Sequence, residues 1–287
     1  MLGRAVSWRP PEFDTVAIAG DDATVRLVDR RSGEILAERP TTSAITALSF
    51  AAGGDRLLVG QSDGQLVVLA GGSLEPTAAP VDVGESILGV HPIVDGRRAV
   101  VLIGRESENA RTGQRYAVVD LADGTIVEEG SVGFDHALGA VSPDGARLAV
   151  VGLGGEVGVR RLDNSEWVRP AIEAALTNEV NSISYAPDGH TFVTADAGGG
   201  VQLWDDASGA PIARLRPGRP DVSASAVFHT DGHTVVIATA DGAVFHWDTR
   251  VESTIAAACA FAGRNLTTTE WHEAFPGRPY RETCPTS

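Results

Sequence analysis

The chain has 287 residues, 43% of them hydrophobic and 21% charged, with a formal net charge of -15. All 23 basic residues are arginine, which excludes lysine-dependent chemistry such as Schiff-base formation or a phosphate-loop ATPase. The acidic balance argues against nonspecific nucleic-acid binding and against an anionic membrane surface, and no apolar run reaches the length of a spanning helix. The N-terminus lacks the apolar stretch of a signal peptide, so the expected location is the cytoplasm.

Along the chain, one apolar cassette runs repeatedly into a turn. It reads ITALSFAAGG (45–54), ILGVHPIVDG (87–96), HALGAVSPDG (136–145), VNSISYAPDG (180–189) and SASAVFHTDG (223–232), with a weaker copy at 3–12. A second cassette follows each turn: a short strand, a Gly/Asp turn, and another strand. Copies include VAIAGDDATVRLVD (16–29), FVTADAGGGVQLWD (192–205) and VVIATADGAVFHWD (235–248). Asp29, Asp120, Asp163, Asp205 and Asp248 close five of these strands, and Ala70 closes the second. Most steps are 41–43 residues; the long step of 50 carries the polar insert 105–114. A turn and a last strand follow, as in RSGEILAER (31–39) and ASGAPIARL (207–215). Period-2 alternation and Asp-Gly pairs mark antiparallel hairpins.

Four-stranded antiparallel units at this period predict an all-β, six-bladed β-propeller over residues 1–250. The residues Trp204-Asp205, Trp247-Asp248, the Pro-Asp-Gly turns at 143–145 and 187–189, and the Asp-Gly pairs at 63–64 and 241–242 resemble the WD40 repeat family. The resemblance covers about 3–248. The family's Gly-His dipeptide is absent, which implies blades held by packing without the usual buried polar network around tryptophan. The sixth unit has no outer strand of its own, so its blade is expected to hold three strands.

Residues 251–287 read as a helical extension packed on the last blade. VESTIAAACAFA (251–262) is alanine-rich and stops at Gly263, and Thr267 with Glu270 forms a capping box before a helix over about 268–275. The two helices are expected to close over Ile255, Phe261, Leu266, Trp271 and Phe275. Cys259 and Cys284 are either reduced thiols or one bridge pinning this tail. The stretches 262–271 and 279–285 resemble the C-terminal extension of WD40 signalling proteins from high-G+C Gram-positive bacteria, that is, actinobacterial proteins. That resemblance implies an interaction module and an effector elsewhere.

Candidate chemistry is sparse. No Gly-x-Ser-x-Gly motif occurs, the histidines lack metal-ligand spacing, and the glycine runs join strand to strand with no helix to hold phosphate. No catalytic, cofactor or metal residue is assigned. The expected interaction face is a loop rim of Asp21, Asp22, Asp63, Glu179, Asp196, Asp221 and Asp241, with Arg105 and Arg111 on the insert. Such an acidic mouth favours a basic protein partner. Trp204, Asp205, Trp247 and Asp248 are expected to be structural. The functional expectation is therefore a monomeric, non-catalytic interaction or regulatory scaffold built on a WD40 propeller. Two other readings are a C-terminal part of a larger regulatory or NTPase signalling protein, and a propeller enzyme with a central-channel site. Small residues at inner-strand positions Ala47, Gly89, Gly139, Ser182 and Ser225 disfavour the enzyme.

Overall fold

The computed structural model describes residues 3–104, 114–133, 138–152, 155–164, 166–168, 172, 176 and 178–284. They form six antiparallel sheets in chain order, followed by two helices. The first sheet holds β1 (Gly3–Trp8), β2 (Thr15–Gly20), β3 (Thr24–Asp29) and β4 (Ile35–Pro40). The second holds β5 (Ile45–Phe50), β6 (Arg56–Gln61), β7 (Gln65–Ala70) and the two-residue β8 (Val81–Asp82). The third holds β9 (Ile87–Pro92), β10 (Arg98–Ile103), β11 (Arg115–Asp120) and β12 (Ile126–Ser131). The fourth has three strands, β13 (Leu138–Val141), β14 (Arg147–Val151) and β15 (Val157–Arg161). The fifth has β16 (Val180–Tyr185), β17 (Thr191–Asp196), β18 (Val201–Asp205) and β19 (Pro211–Leu215). The sixth again has three, β20 (Ala224–Phe228), β21 (Thr234–Thr239) and β22 (Val244–Asp248).

The periodic turns do the local work. Gly96, Gly145, Gly189 and Gly232 all have positive φ, the conformation that a side chain penalises and glycine does not. The closing aspartates end their strands by accepting backbone N–H groups just beyond them. Asp29 takes the amides of Arg31 and Ser32 at 2.9 and 2.7 Å, and Asp205 takes that of Ser208 at 2.7 Å.

Alternation puts one face of each sheet against the next. Five apolar clusters result. Leu27 and Ala17 meet Leu57 and Phe50 between the first two sheets, and Leu66 meets Val101 between the second and third. Leu102 and Tyr116 meet Leu148 between the third and fourth, and Val159 meets Phe192 and Trp204 between the fourth and fifth. Val193 and Val201 meet Ala226 and Ile237 between the fifth and sixth.

Among the described residues there is no sixth cluster joining the last sheet to the first, and no sheet closes on itself into a barrel or ring. The outward face of the first sheet leaves Val6 and Trp8 at 61% and 46% exposure, and that of the sixth leaves Val227 and Val244 at 53% and 59%. These observations overturn the expected six-bladed propeller. The repeat period determines how one sheet packs on the next, but it does not bring the two end sheets together. The architecture is an all-β series of six sheets with a short helical tail.

The tail forms α1 (Val251–Ala262) and α2 (Thr268–Ala274). Gly263 ends α1 in the left-handed conformation, and the Thr267–Glu270 capping box opens α2. The apolar patch is smaller than its sequence implies. Only Trp271 is buried, with the rings of Phe275 and Tyr280 at 4.6 and 5.8 Å, while Phe261 is 96% exposed. Helix α1 buries no residue. A disulfide joins Cys259 to Cys284, and Asn265 holds the same return segment by accepting the amides of Thr283 and Cys284 at 2.9 and 2.7 Å.

Candidate functional site: a groove between the first two sheets

A hollow lies where the first sheet hands over to the second. It has a volume of about 410 Å³ and is lined by residues of β4, β6, β7 and the loops beside them. Its origin is local. After β7 the outer strand of the second sheet bows away: a bridge joins Leu69 to Pro76, Thr77 donates to the Val68 carbonyl at 2.9 Å, and pairing resumes only at Val81 with Leu66. Pro76 and Pro80 bracket this bow, and neither has an N–H to give a ladder. The bow leaves Val67 and Leu69 lining a hollow in place of a fourth strand.

The opposite wall is the turn from β4 to β5. Thr41 anchors it, its amide and hydroxyl both reaching the Ala23 carbonyl at 2.8 Å. Arg39 spans the rim, 3.3 Å from the Leu74 carbonyl and 3.5 Å from Glu75. At the floor sits Gln61, 1% exposed. Its side-chain oxygen accepts from the Ser43 amide at 3.1 Å and the Thr42 hydroxyl at 3.2 Å. Its amide nitrogen donates to nothing among the described residues, and Gln61 lines the hollow.

The acidic rim expected from sequence is placed residue by residue. Asp22 is exposed and paired with Arg26 at 2.6 Å, which holds its carboxyl below the usual range. Asp21 is exposed beside it. Asp63 caps its own turn at the Gln65 amide, 3.2 Å away. Asp241 accepts from the Thr239 hydroxyl at 2.6 Å, which lowers its carboxyl too. Asp196 is 2% exposed, takes the amides of Gly198 and Gly200 at 2.9 and 2.8 Å, and lies 3.7 Å from the Arg214 guanidinium on β19, so its charge is spent within its own sheet. Gly199 approaches the Val222 carbonyl, which sets the Asp196 loop beside exposed Asp221. Glu179 is exposed, and its carbonyl accepts from the Ala197 amide at 2.8 Å. Arg105 and Arg111 lie outside the described residues.

The tryptophan positions differ from one another. Trp204 is 1% exposed, stacks on Phe192 at 6.0 Å, and donates from Nε1 to the Thr194 hydroxyl at 3.0 Å. A polar partner therefore does exist, in contrast to the expectation of packing alone. Trp247 is only half-buried, on the edge of the sixth sheet. Its neighbour Asp248 binds Arg250 at 2.5 Å and the Ser253 hydroxyl of α1 at 2.7 Å.

Sequence reasoning missed the groove. The signal was present in SLEPTAAP (73–80), where two prolines occupy the place of an outer strand. Among the described residues no cluster of histidine, cysteine or carboxylate side chains could hold a metal ion, and no helix is long and apolar enough to cross a membrane.

Comparison with known proteins adds a coarse identity. The family described as WD domain, G-beta repeat matches residues 172–205, a segment that contains β16, β17 and β18. The chain is also similar to Pre-mRNA-processing factor 19 homolog 2 of Arabidopsis thaliana, 27% identical over 227 residues. That alignment covers 74% of this chain and 39% of the relative, so the chain spans well under half the length of the protein it matches. A WD40-type repeat region and a distant eukaryotic WD40 relative are what these comparisons establish. The expectation of a scaffold built on a closed WD40 propeller is overturned with the ring itself: the family match is a single segment, and the end sheets do not meet.

Proposed function

We propose that this chain binds, without catalysis, an extended peptide segment in the groove between the first and second sheets. The observation that carries this reading is Gln61, which lines the hollow: its oxygen is used by Thr42 and Ser43, while its nitrogen has no acceptor among the described residues. A peptide carbonyl entering the hollow would accept from it. An apolar side chain of the same segment would rest on Val67, Leu69 and Pro80, since a hollow of about 410 Å³ holds one or two side chains. The net charge of -15 favours basic residues flanking the segment and speeds their encounter. Actinobacterial origin belongs to this reading through the all-arginine basic set and the resemblance of the tail. The Cys259–Cys284 bridge favours an oxidising compartment.

The test is selection of a random peptide library on the intact chain, followed by affinity measurement of the selected peptides. Gln61→Leu should weaken them about tenfold, the size of one lost hydrogen bond in a buried site. Pro80→Glu on the exposed rim should weaken them as well. Peptides whose affinity ignores both variants, or a selection that enriches none, would overturn the reading.

A further inference from the structure

The sixth sheet carries a face that the protein covers elsewhere. Ser182, Ser184, Val193, Ala195, Val201 and Leu203 make up the side of the fifth sheet that packs on the sixth. Forty-three residues on, at the same register positions, stand Ser225, Val227, Val236, Ala238, Val244 and His246. Four of the six are identical. In the fifth sheet Val193, Ala195 and Val201 are at 0%, 1% and 0% exposure, whereas Val227 and Val244 of the sixth are more than half exposed.

The polar contacts repeat the point. Ser182 accepts the Ala226 amide at 2.8 Å and Ser184 accepts the Phe228 amide at 3.2 Å, so the hydroxyls of one sheet hold the leading strand of the next. Ser7 does the same for the Phe50 amide at 3.0 Å between the first two sheets. Ser225 occupies the position of Ser182, is exposed, and holds no such amide among the described residues. Strand β22 has no fourth strand beside it among the described residues, so the same end also offers a free backbone edge.

We propose that this open end takes one further antiparallel β-sheet from a partner polypeptide. The leading strand of that sheet donates a backbone N–H to Ser225. Its contacting face carries small and branched apolar residues, as Ala224, Ala226, Val235 and Ile237 do against the fifth sheet. Specificity comes from the two positions that differ: Val227 where the fifth sheet has Ser184, and His246 where it has Leu203. The partner must therefore meet Val227 with apolar surface instead of a backbone donor, and offer His246 a polar group.

The chain itself supplies the probe. Repeating residues 206–248 directly after Asp248 places a copy of β19 beside β22 and a copy of β20–β22 against the open face. Hydrogen exchange in 224–228 and 244–248 should slow about tenfold or more relative to the parent chain, as expected for amides moved under a packed sheet. A shorter insertion of 206–215 alone should protect β22 and leave β20 unchanged. Val227→Asp should leave the urea midpoint of the parent chain nearly unchanged and lower that of the extended chain. Unchanged exchange in β20, equal indifference of both chains to Val227→Asp, or an extended chain that loses native secondary structure would each overturn the proposal. So would concentration-dependent self-association of the parent chain abolished by Val227→Asp, because the occupant would then be a second copy.

Discussion

The phenol of Tyr185, at the end of β16, donates to Oδ1 of Asp206 at 2.5 Å, and both residues are buried. Oδ2 of the same aspartate pairs with the Arg147 guanidinium on β14, so one carboxylate ties the fifth sheet to the fourth. Burial pushes the Tyr185 phenol up, which favours its protonated, hydrogen-bond-donating form.

Removing one partner from such a trio leaves the others desolvated and unpaired. Asp206→Asn should cost roughly 2–4 kcal/mol, moderated by the part of Arg147 that reaches solvent. Tyr185→Phe should cost about 1–2 kcal/mol. Urea denaturation of the single variants, and of Arg147→Ala with Asp206→Asn together, checks this. Additive losses would show that Arg147 and Asp206 do not act as a pair.

The two Trp-Asp strand ends should respond unequally. Trp204 is enclosed by the fourth and fifth sheets and bonded to Thr194, so Trp204→Ala should cost about 3–5 kcal/mol. Trp247 lies half-open on the terminal sheet, and Trp247→Ala should cost roughly 1–2 kcal/mol because less area returns to water. Equal shifts in the urea midpoint would mean that the sixth sheet is as well covered as the fifth.

His91 on β9 keeps a little surface, yet desolvation lowers its imidazole from 6.5 to about 4. Between those values the unfolded chain takes up a proton that the folded chain refuses. Its contribution is thus complete above pH 6.5 and is lost as pH falls toward 4. At pH 5 the loss is on the order of 2 kcal/mol. Urea midpoints at pH 7.5 and pH 5 should differ less in His91→Asn than in the parent. An identical difference would assign the acid sensitivity to other groups.

Much of this molecule follows from short-range rules. The turn glycines at 96, 145, 189 and 232, the aspartates that end β3, β11, β18 and β22, and the alternation in Val25-Leu27 and Val201-Leu203 act within a few residues. They determined strands, turns and the sheet-on-sheet repeat. The Thr267–Glu270 box and Gly263 likewise placed both helices of the tail. The groove at Gln61 was not legible in the same way, because it depends on how far the 73–80 segment departs from β7, a distance no local pattern encodes. The acidic rim was legible as composition, but burial of Asp196 and the pairing of Asp22 with Arg26 decide how much of that charge is free.

What tertiary structure alone decided is the relation between the ends. Each repeat carries two complementary faces, and sequence periodicity makes every neighbour pair equivalent. Whether Val6 and Trp8 of the first sheet meet Val227 and Val244 of the sixth depends on small rotations summed over five interfaces. That sum is a property of packed side-chain volumes such as Leu58 against Ile87 and Trp204 against Val159, and it left both end faces open.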